Sequence, residues 1–187
     1  MFKNCIFDLY GTLVDIRTDE EKPSLWHTLS SRYAYLGVST RPEVLKARYE
    51  AYVKDEEDHF YAAEIDLTRV FARLFASKEI TKDSPIVLQF AGDFRKLSME
   101  KLRLYDGAAE LLKRLKREGK GVYLLSNAQR CFTYPELVEL GIAELFDAIY
   151  ISSDYGRKKP DPVFYQALLS GEKLDPKESI MVGNDGC

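Results

Sequence analysis

Few of the residue types that announce familiar chemistries occur in this chain. Its 187 residues include three cysteines, two histidines and one tryptophan. Cys5, Cys131 and Cys187 are odd in number and far apart, so a disulfide framework is not expected, and reduced thiols in a cytoplasmic protein are. His27 and His59 stand outside any motif, which leaves a zinc site without ligands and a serine–histidine triad without its base. No apolar run is long enough to cross a bilayer. Met1-Phe2-Lys3-Asn4 passes straight into a strand, so no signal peptide is expected. Neither charge sign is in large excess: the formal net charge of -3 offers no attraction to nucleic acid or to an anionic membrane. Internal repeats and low-complexity segments are absent. What is present is an ordinary globular composition, 45% hydrophobic and 30% charged, long enough for one good core and a smaller second module.

The pattern along the chain changes twice. Residues 3 to 8 read as a short buried strand. From 16 to about 100 the spacing is helical: Val44, Leu45, Tyr49, Tyr52 and Val53 line one face, and Leu67, Val70, Phe71 and Leu74 another. From Asp106 helices and strands alternate. One helix carries the stripe Ala108, Leu111, Leu112 and Leu115, and Gly119 is placed to stop it. Val122 to Leu125 is a buried strand ending at Ser126, and Pro135 suits the first turn of the helix that follows. Ala148 to Ile151 is a third strand. Asp161-Pro162 caps a helix that Gly171 ends, and Ile180 to Val182 is a fourth strand. This alternation predicts an α/β fold with a Rossmann-like parallel sheet, with every strand's C-terminal end on one edge. The predicted organisation is a core of 1–14 and 101–187, with an all-α cap of 15–100 inserted over the ligand crevice at that edge.

Four segments fall just past strand ends or in the loops between elements, and each has a plain reading and a chemical one. Asp8 is either a turn aspartate or a carboxylate nucleophile, with Gly11 letting the backbone bend toward an incoming anion and Thr12 adding a hydroxyl. Ser126-Asn127 is either a turn pair or a set of donors for phosphate or carboxylate oxygens. Lys158-Lys159 precedes the stiff Pro160-Asp161-Pro162, where Lys159 is placed to offset negative charge and Lys158 to face solvent. Gly183-Asn184-Asp185 is either a surface turn or an acidic loop for Mg²⁺, a hard cation that takes oxygen ligands and keeps several waters.

In this order, with the helical insert after the first motif, the chain resembles the haloacid dehalogenase (HAD) superfamily over its whole length. The resemblance implies an aspartyl-enzyme intermediate at Asp8, substrate-oxygen contacts from Ser126 and Asn127, and charge balance from Lys159. In phosphatase members it implies Mg²⁺ held by Asp8, by the backbone carbonyl of Tyr10, and by Asp185 or, less directly, Asn184. Two departures stand out. Most phosphatase members carry a second aspartate where this chain has Tyr10, and a phenol titrating near pH ~10 is a poor proton shuttle at neutral pH. Tyrosine there resembles the 2-haloacid dehalogenase branch, whose halide leaving group needs neither proton nor metal. The resemblance also implies a further acidic residue, helix and strand beyond Cys187, so the sheet is expected to lack its last strand and leave an apolar edge.

The resulting expectation is a Mg²⁺-dependent phosphatase of a small phosphorylated metabolite, working through an aspartyl phosphate. A 2-haloacid dehalogenase, with Arg17, Arg32 or Arg41 gripping the substrate carboxylate, is the alternative. A binding protein that kept the fold and lost the chemistry is a third. Tyr33, Tyr35, Phe60 and Tyr61 are expected to be mostly core. Nothing in the sequence requires a second subunit.

Overall fold

Asn4–Phe7 forms β1, which occupies the interior of the main sheet. The structure is a computed structural model that describes residues 2–59 and 64–184. After β1 come β2 (Val14–Thr18), α1 (Pro23–Tyr33), α2 (Pro42–His59), α3 (Leu67–Leu74), α4 (Pro85–Ser98) and β3 (Met99–Leu104). The alternating part follows: α5 (Ala108–Arg117), β4 (Gly121–Ser126), α6 (Arg130–Glu139), β5 (Ala148–Ile151), α7 (Ser152–Tyr155), α8 (Pro162–Gly171) and β6 (Ser179–Val182). By contact the chain divides into two compact units, Met1–Ile16 with Lys101–Cys187, and Arg17–Glu100. The divisions fall inside β2 and β3, which pair as a separate two-stranded sheet.

In the first unit the sheet runs β5-β4-β1-β6, and every pair is parallel. Register follows the apolar pattern: Ile6 faces Tyr123, and Phe7 faces Leu124. Successive residues of a strand point to opposite faces. Phe7, Val122 and Leu124 therefore pack with Leu112 of α5 and Leu137 of α6. Ile6, Tyr123 and Leu125 pack with Phe164 and Leu168 of α8. A sheet covered on both faces explains why Val122-Tyr123-Leu124-Leu125 is continuously apolar. At the edge, Ile180, Met181 and Val182 of β6 remain exposed.

The second unit is helical, and its core is aromatic. Trp26, Tyr33, Tyr49, Phe71, Phe90 and Phe94 are all buried. Phe94 meets Trp26 edge-on at 5.7 Å, and Phe71 lies 5.3 Å from Phe90. Tyr35 departs from the expected core, being 78% exposed. Phe60 and Tyr61 lie outside the described residues. No described helix is long and apolar enough to cross a membrane.

Two local readings are corrected. Pro135 lies well inside α6 rather than in its first turn. The helix starts earlier because Ser153 Oγ, on α7, accepts the Arg130 N–H at 2.8 Å, a cap supplied from another element. The β2–β3 pair, with charged residues at Asp15, Arg17, Glu100, Lys101 and Arg103, escaped apolar periodicity altogether. Asp15 is tied to Lys101 and Arg103 across that pair. The hydrogen bond from Lys101, then that from Arg103, hold its carboxyl below the usual range.

Candidate active site

The end of β1 is pinned from two sides. The Asp8 N–H donates to the Val182 carbonyl at 2.9 Å, extending the pairing with β6 by one residue. Then the chain folds back tightly. Thr12, Leu13 and Val14 N–H groups all converge on the Leu9 carbonyl, at 3.2, 2.8 and 3.0 Å. Gly11 makes this turn possible with φ +78°, a left-handed conformation that side chains resist. It also lies against Asn184: a Cβ built on Gly11 would come within 2.5 Å of Asn184 Nδ2. Gly183 also adjoins the first motif, since a Cβ built on it would lie 3.4 Å from Asp8 Cβ, at ordinary contact distance. Thr12 Oγ1 donates to Asn184 Oδ1 at 3.4 Å. The loops after β1 and β6 thus form one neighbourhood.

Asp8 is 6% exposed, and its Oδ1 receives Lys159 Nζ at 2.8 Å. Both side chains are about as hidden as each other, at 10% for Lys159 and 9% for Asp8. Few surface ion pairs are so enclosed, and removing either partner would leave the other polar group buried without its mate. Lys159 is held in turn. Asn127 Oδ1 accepts its N–H at 2.7 Å, and Asn127 Nδ2 donates to its carbonyl at 3.0 Å. Lys158 is exposed, as expected. Ser126, at the end of β4, is 1% exposed, and its Oγ has no hydrogen-bond partner among the described residues. A buried hydroxyl without a partner is uncommon and marks a place where another group fits. Asp8, Thr12, Ser126, Asn127, Lys159 and Asn184 thus all lie at the carboxyl ends of the parallel strands or in the loops that join them there.

Tyr10 differs from its companions. Its hydroxyl donates to Glu136 Oε2 at 2.5 Å and lies 3.1 Å from Thr133 Oγ1. Both partners are buried on α6, Glu136 at 4% exposure and Thr133 at 0%. Sequence reading passed over them. The available signal was a glutamate on the same helical face as Phe132, Thr133, Leu137 and Leu140, where an apolar residue is normal. Of the three arginines considered for gripping a carboxylate, Arg17 is paired with Glu100 at 2.7 Å and Arg32 with Asp93 at 2.6 Å, within the helical unit.

The donors suit a hard cation. Carboxylate oxygen from Asp8 and carboxamide oxygen from Asn184 come from adjoining loops, and Mg²⁺ fills its remaining positions with water. Among the described residues no three His, Cys, Asp or Glu side chains cluster as a ready metal site. Asp185 lies outside the described residues.

The sequence model of the haloacid dehalogenase-like hydrolases matches residues 2–186. This chain belongs to that family. Over 81 residues it is 35% identical to a phosphoglycolate phosphatase of Nitrosococcus oceani. That stretch covers 43% of this chain and 36% of the relative, so it spans little more than a third of the curated protein. Other curated relatives also carry phosphatase names. Among solved structures, the HAD phosphatase of Thermococcus onnurineus superposes with a TM-score of 0.59 at 19% identity, covering 98% of this chain and 78% of that one. The L-2-haloacid dehalogenase of Xanthobacter autotrophicus does so with a TM-score of 0.51 at 22% identity, covering 97% and 69%. At such identities the likeness is one of fold, a parallel-sheet α/β core shared by enzymes that break different bonds.

Proposed function

We propose that this hydrolase is a Mg²⁺-dependent phosphatase of a small phosphorylated metabolite, acting in the cytoplasm. The observation that carries the reading is the enclosed Asp8–Lys159 pair at the carboxyl edge of the sheet, 2.8 Å apart. An Asp8 oxygen attacks phosphorus, and the bond from phosphorus to the leaving oxygen breaks with its electron pair on that oxygen. Water then attacks phosphorus of the aspartyl phosphate, restoring the carboxylate and releasing orthophosphate. Lys159 offsets the charge that gathers on the phosphoryl oxygens. Ser126 Oγ, which has no partner among the described residues, donates to one of those oxygens. Thr12, beside Asn184, adds a second hydroxyl. Asp8, the Tyr10 carbonyl and Asn184, with Asp185, would hold Mg²⁺, which when bound supplies Lewis acidity toward the phosphoryl group. The helical unit, Arg17–Glu100, is read as the cap that selects the substrate. Curated relatives named as phosphatases support this reading over dehalogenation.

A second reading keeps a specific observation on its side. With the Tyr10 hydroxyl engaged by Glu136 and Thr133, position 10 supplies no acid to a leaving alkoxide. A halide would need none, so 2-haloacid dehalogenation stays in competition. One experiment separates the two. Purified protein is incubated with p-nitrophenyl phosphate and Mg²⁺, and separately with 2-chloropropionate and EDTA, each beside Asp8→Asn. Phosphate release that needs both metal and Asp8 is the expected result. Metal-independent chloride release would install the second reading, and inactivity of a well-folded protein on both would install a binding role.

A further inference from the structure

We infer that Asn127 is a positioning residue for Lys159, acting on the lysine's main chain and not on substrate. The inference rests on the catalytic role proposed for Lys159. Asn127 sits one residue past the end of β4, and Lys159 lies in the loop before α8, thirty-two positions on. A carboxamide carries a donor and an acceptor side by side on separate atoms. Asn127 spends both on a single residue, accepting the Lys159 N–H at 2.7 Å and donating to its carbonyl at 3.0 Å. Two bonds to the N–H and C=O of one residue restrict its backbone on both sides of the Cα, which one bond does not. The clamp is itself mounted rigidly. Next to it, Ser152 Oγ, wholly buried, accepts the Ala128 N–H at 2.8 Å and donates to the Ala128 carbonyl at 3.1 Å.

What this achieves follows from the nature of lysine. Its ammonium rides on a four-carbon stem with many rotamers, and it finds Asp8 reliably only if its Cα is fixed. The backbone hold by Asn127 supplies that fixed point, and the enclosed stem does the rest, with the side chain 10% exposed and Nζ 2.8 Å from Asp8 Oδ1. Ser126 and Asn127 thereby divide their labour: the serine hydroxyl is left for a ligand, while the neighbouring amide secures the lysine.

The test has two arms on the full chain. In the first, brief acetic anhydride labelling compares Lys159 with exposed Lys113 by peptide mass spectrometry, in the wild type and in Asn127→Ala. Lys159 should label about five-fold faster in the variant, because the loop opens locally. In the second, p-nitrophenyl phosphate kinetics are measured for the wild type, Asn127→Ala, Lys159→Ala and the double variant. Asn127→Ala should lower kcat by about 10- to 100-fold with little change in KM, the size expected for a misplaced catalytic group. On the Lys159→Ala background the same substitution should cost less than about two-fold, since residues that act as one do not add. Unchanged labelling overturns the inference. So does an equal cost on both backgrounds, or a loss confined to KM, which would return Asn127 to substrate binding. A wild type without phosphatase activity sinks the proposed function alone, and the labelling arm still decides the clamp.

Discussion

Replacing Lys159 by methionine tests the electrostatic heart of the site without any assumption about substrate. Methionine keeps most of the stem and removes the charge, which leaves the Asp8 carboxylate enclosed without a partner. At 2.8 Å two unit charges attract by about 6 kcal/mol for an effective dielectric of ~20. Desolvation of each ion costs several kcal/mol, so the intact pair contributes little net stability. Breaking it is another matter, because the cost of the hidden carboxylate remains while the attraction is lost, and about 3 kcal/mol is expected for Lys159→Met. Asp8→Asn should cost less, since the long lysine stem can carry its charge out to water. The double variant, Asp8→Asn with Lys159→Met, should return to within about 1 kcal/mol of the wild type, because neither charge is left stranded. Fluorescence of the single tryptophan is the wrong probe, since Trp26 belongs to the helical unit. Hydrogen exchange of β1 and β4 peptides across a urea series reports on the correct unit. If Lys159→Met lies within about 0.5 kcal/mol of the wild type, the pair is screened like a surface pair, and the argument for a poised carboxylate at Asp8 fails.

Other expectations are smaller in scope. Ser126→Ala removes a hydroxyl that has no hydrogen bond to lose among the described residues, so urea stability should hold within about 0.5 kcal/mol, while orthophosphate affinity by calorimetry falls about ten-fold for a lost bond to a charged oxygen. A fall in stability with unchanged phosphate binding would reverse that reading. Tyr10→Phe takes the phenolic donor from buried Glu136 and should destabilise the α/β unit by about 1–3 kcal/mol, with Glu136→Gln on that background restoring part of it; a neutral Tyr10→Phe in the same urea series would remove the pin. Glu20→Gln should show a pH signature in the helical unit. Burial raises the Glu20 carboxyl above its ordinary range, only partly opposed by the Tyr49 hydroxyl. The folded chain then holds a proton that the unfolded chain has released, so stability falls as pH climbs through the window above the ordinary glutamate value. Relative to the wild type, Glu20→Gln should gain stability at pH 7 and lose that advantage toward pH 4, followed by Trp26 fluorescence; an advantage independent of pH would refute the assignment.

What was legible in the sequence shares a physical character. The places of Asp8 and Ser126 were visible because a buried parallel strand is a short apolar run and its end is abrupt, and the strand of Ile180 to Val182 because it is apolar too, although it lies exposed at the sheet edge. The start of α8 was visible because Asp161 caps it locally, accepting the Val163 N–H at 2.9 Å beside a proline at the first helical position. The misses are all non-local. Ser153 starts α6 from a different element, and no feature of residues 128–135 announces it. The β2 and β3 strands hold together by pairing with each other, with ion pairs where an apolar stripe would be sought. The hydrogen bonds of Asn127 to the Lys159 main chain were not foreseen, because a turn asparagine after a strand gives no sign of a partner thirty-two residues away.

Position 10 shows why a recognisable motif set leaves the chemistry divided. In the roles proposed for them, Asp8, Lys159 and Ser126 would serve any reaction in which a carboxylate displaces a group from an anionic substrate, whether at phosphorus or at carbon. What separates phosphate ester from haloacid is the fate of the leaving atom, and the residue two past the nucleophile is where a proton would be supplied. Here the phenol is turned to the buried face of α6, hydrogen-bonded to Glu136 at 2.5 Å and near Thr133 at 3.1 Å. A group so committed stabilises the loop that carries Asp8, and this leaves departure to the leaving group's own acidity. Rates for phosphate monoesters should therefore climb steeply as the leaving alcohol becomes more acidic, with aryl esters far ahead of alkyl esters. An enzyme equipped with a general acid at that place would show a shallow dependence instead. Steady-state kcat/KM across substituted phenyl phosphates and a simple alkyl phosphate measures the slope, and a flat series would mean that some other residue delivers the proton.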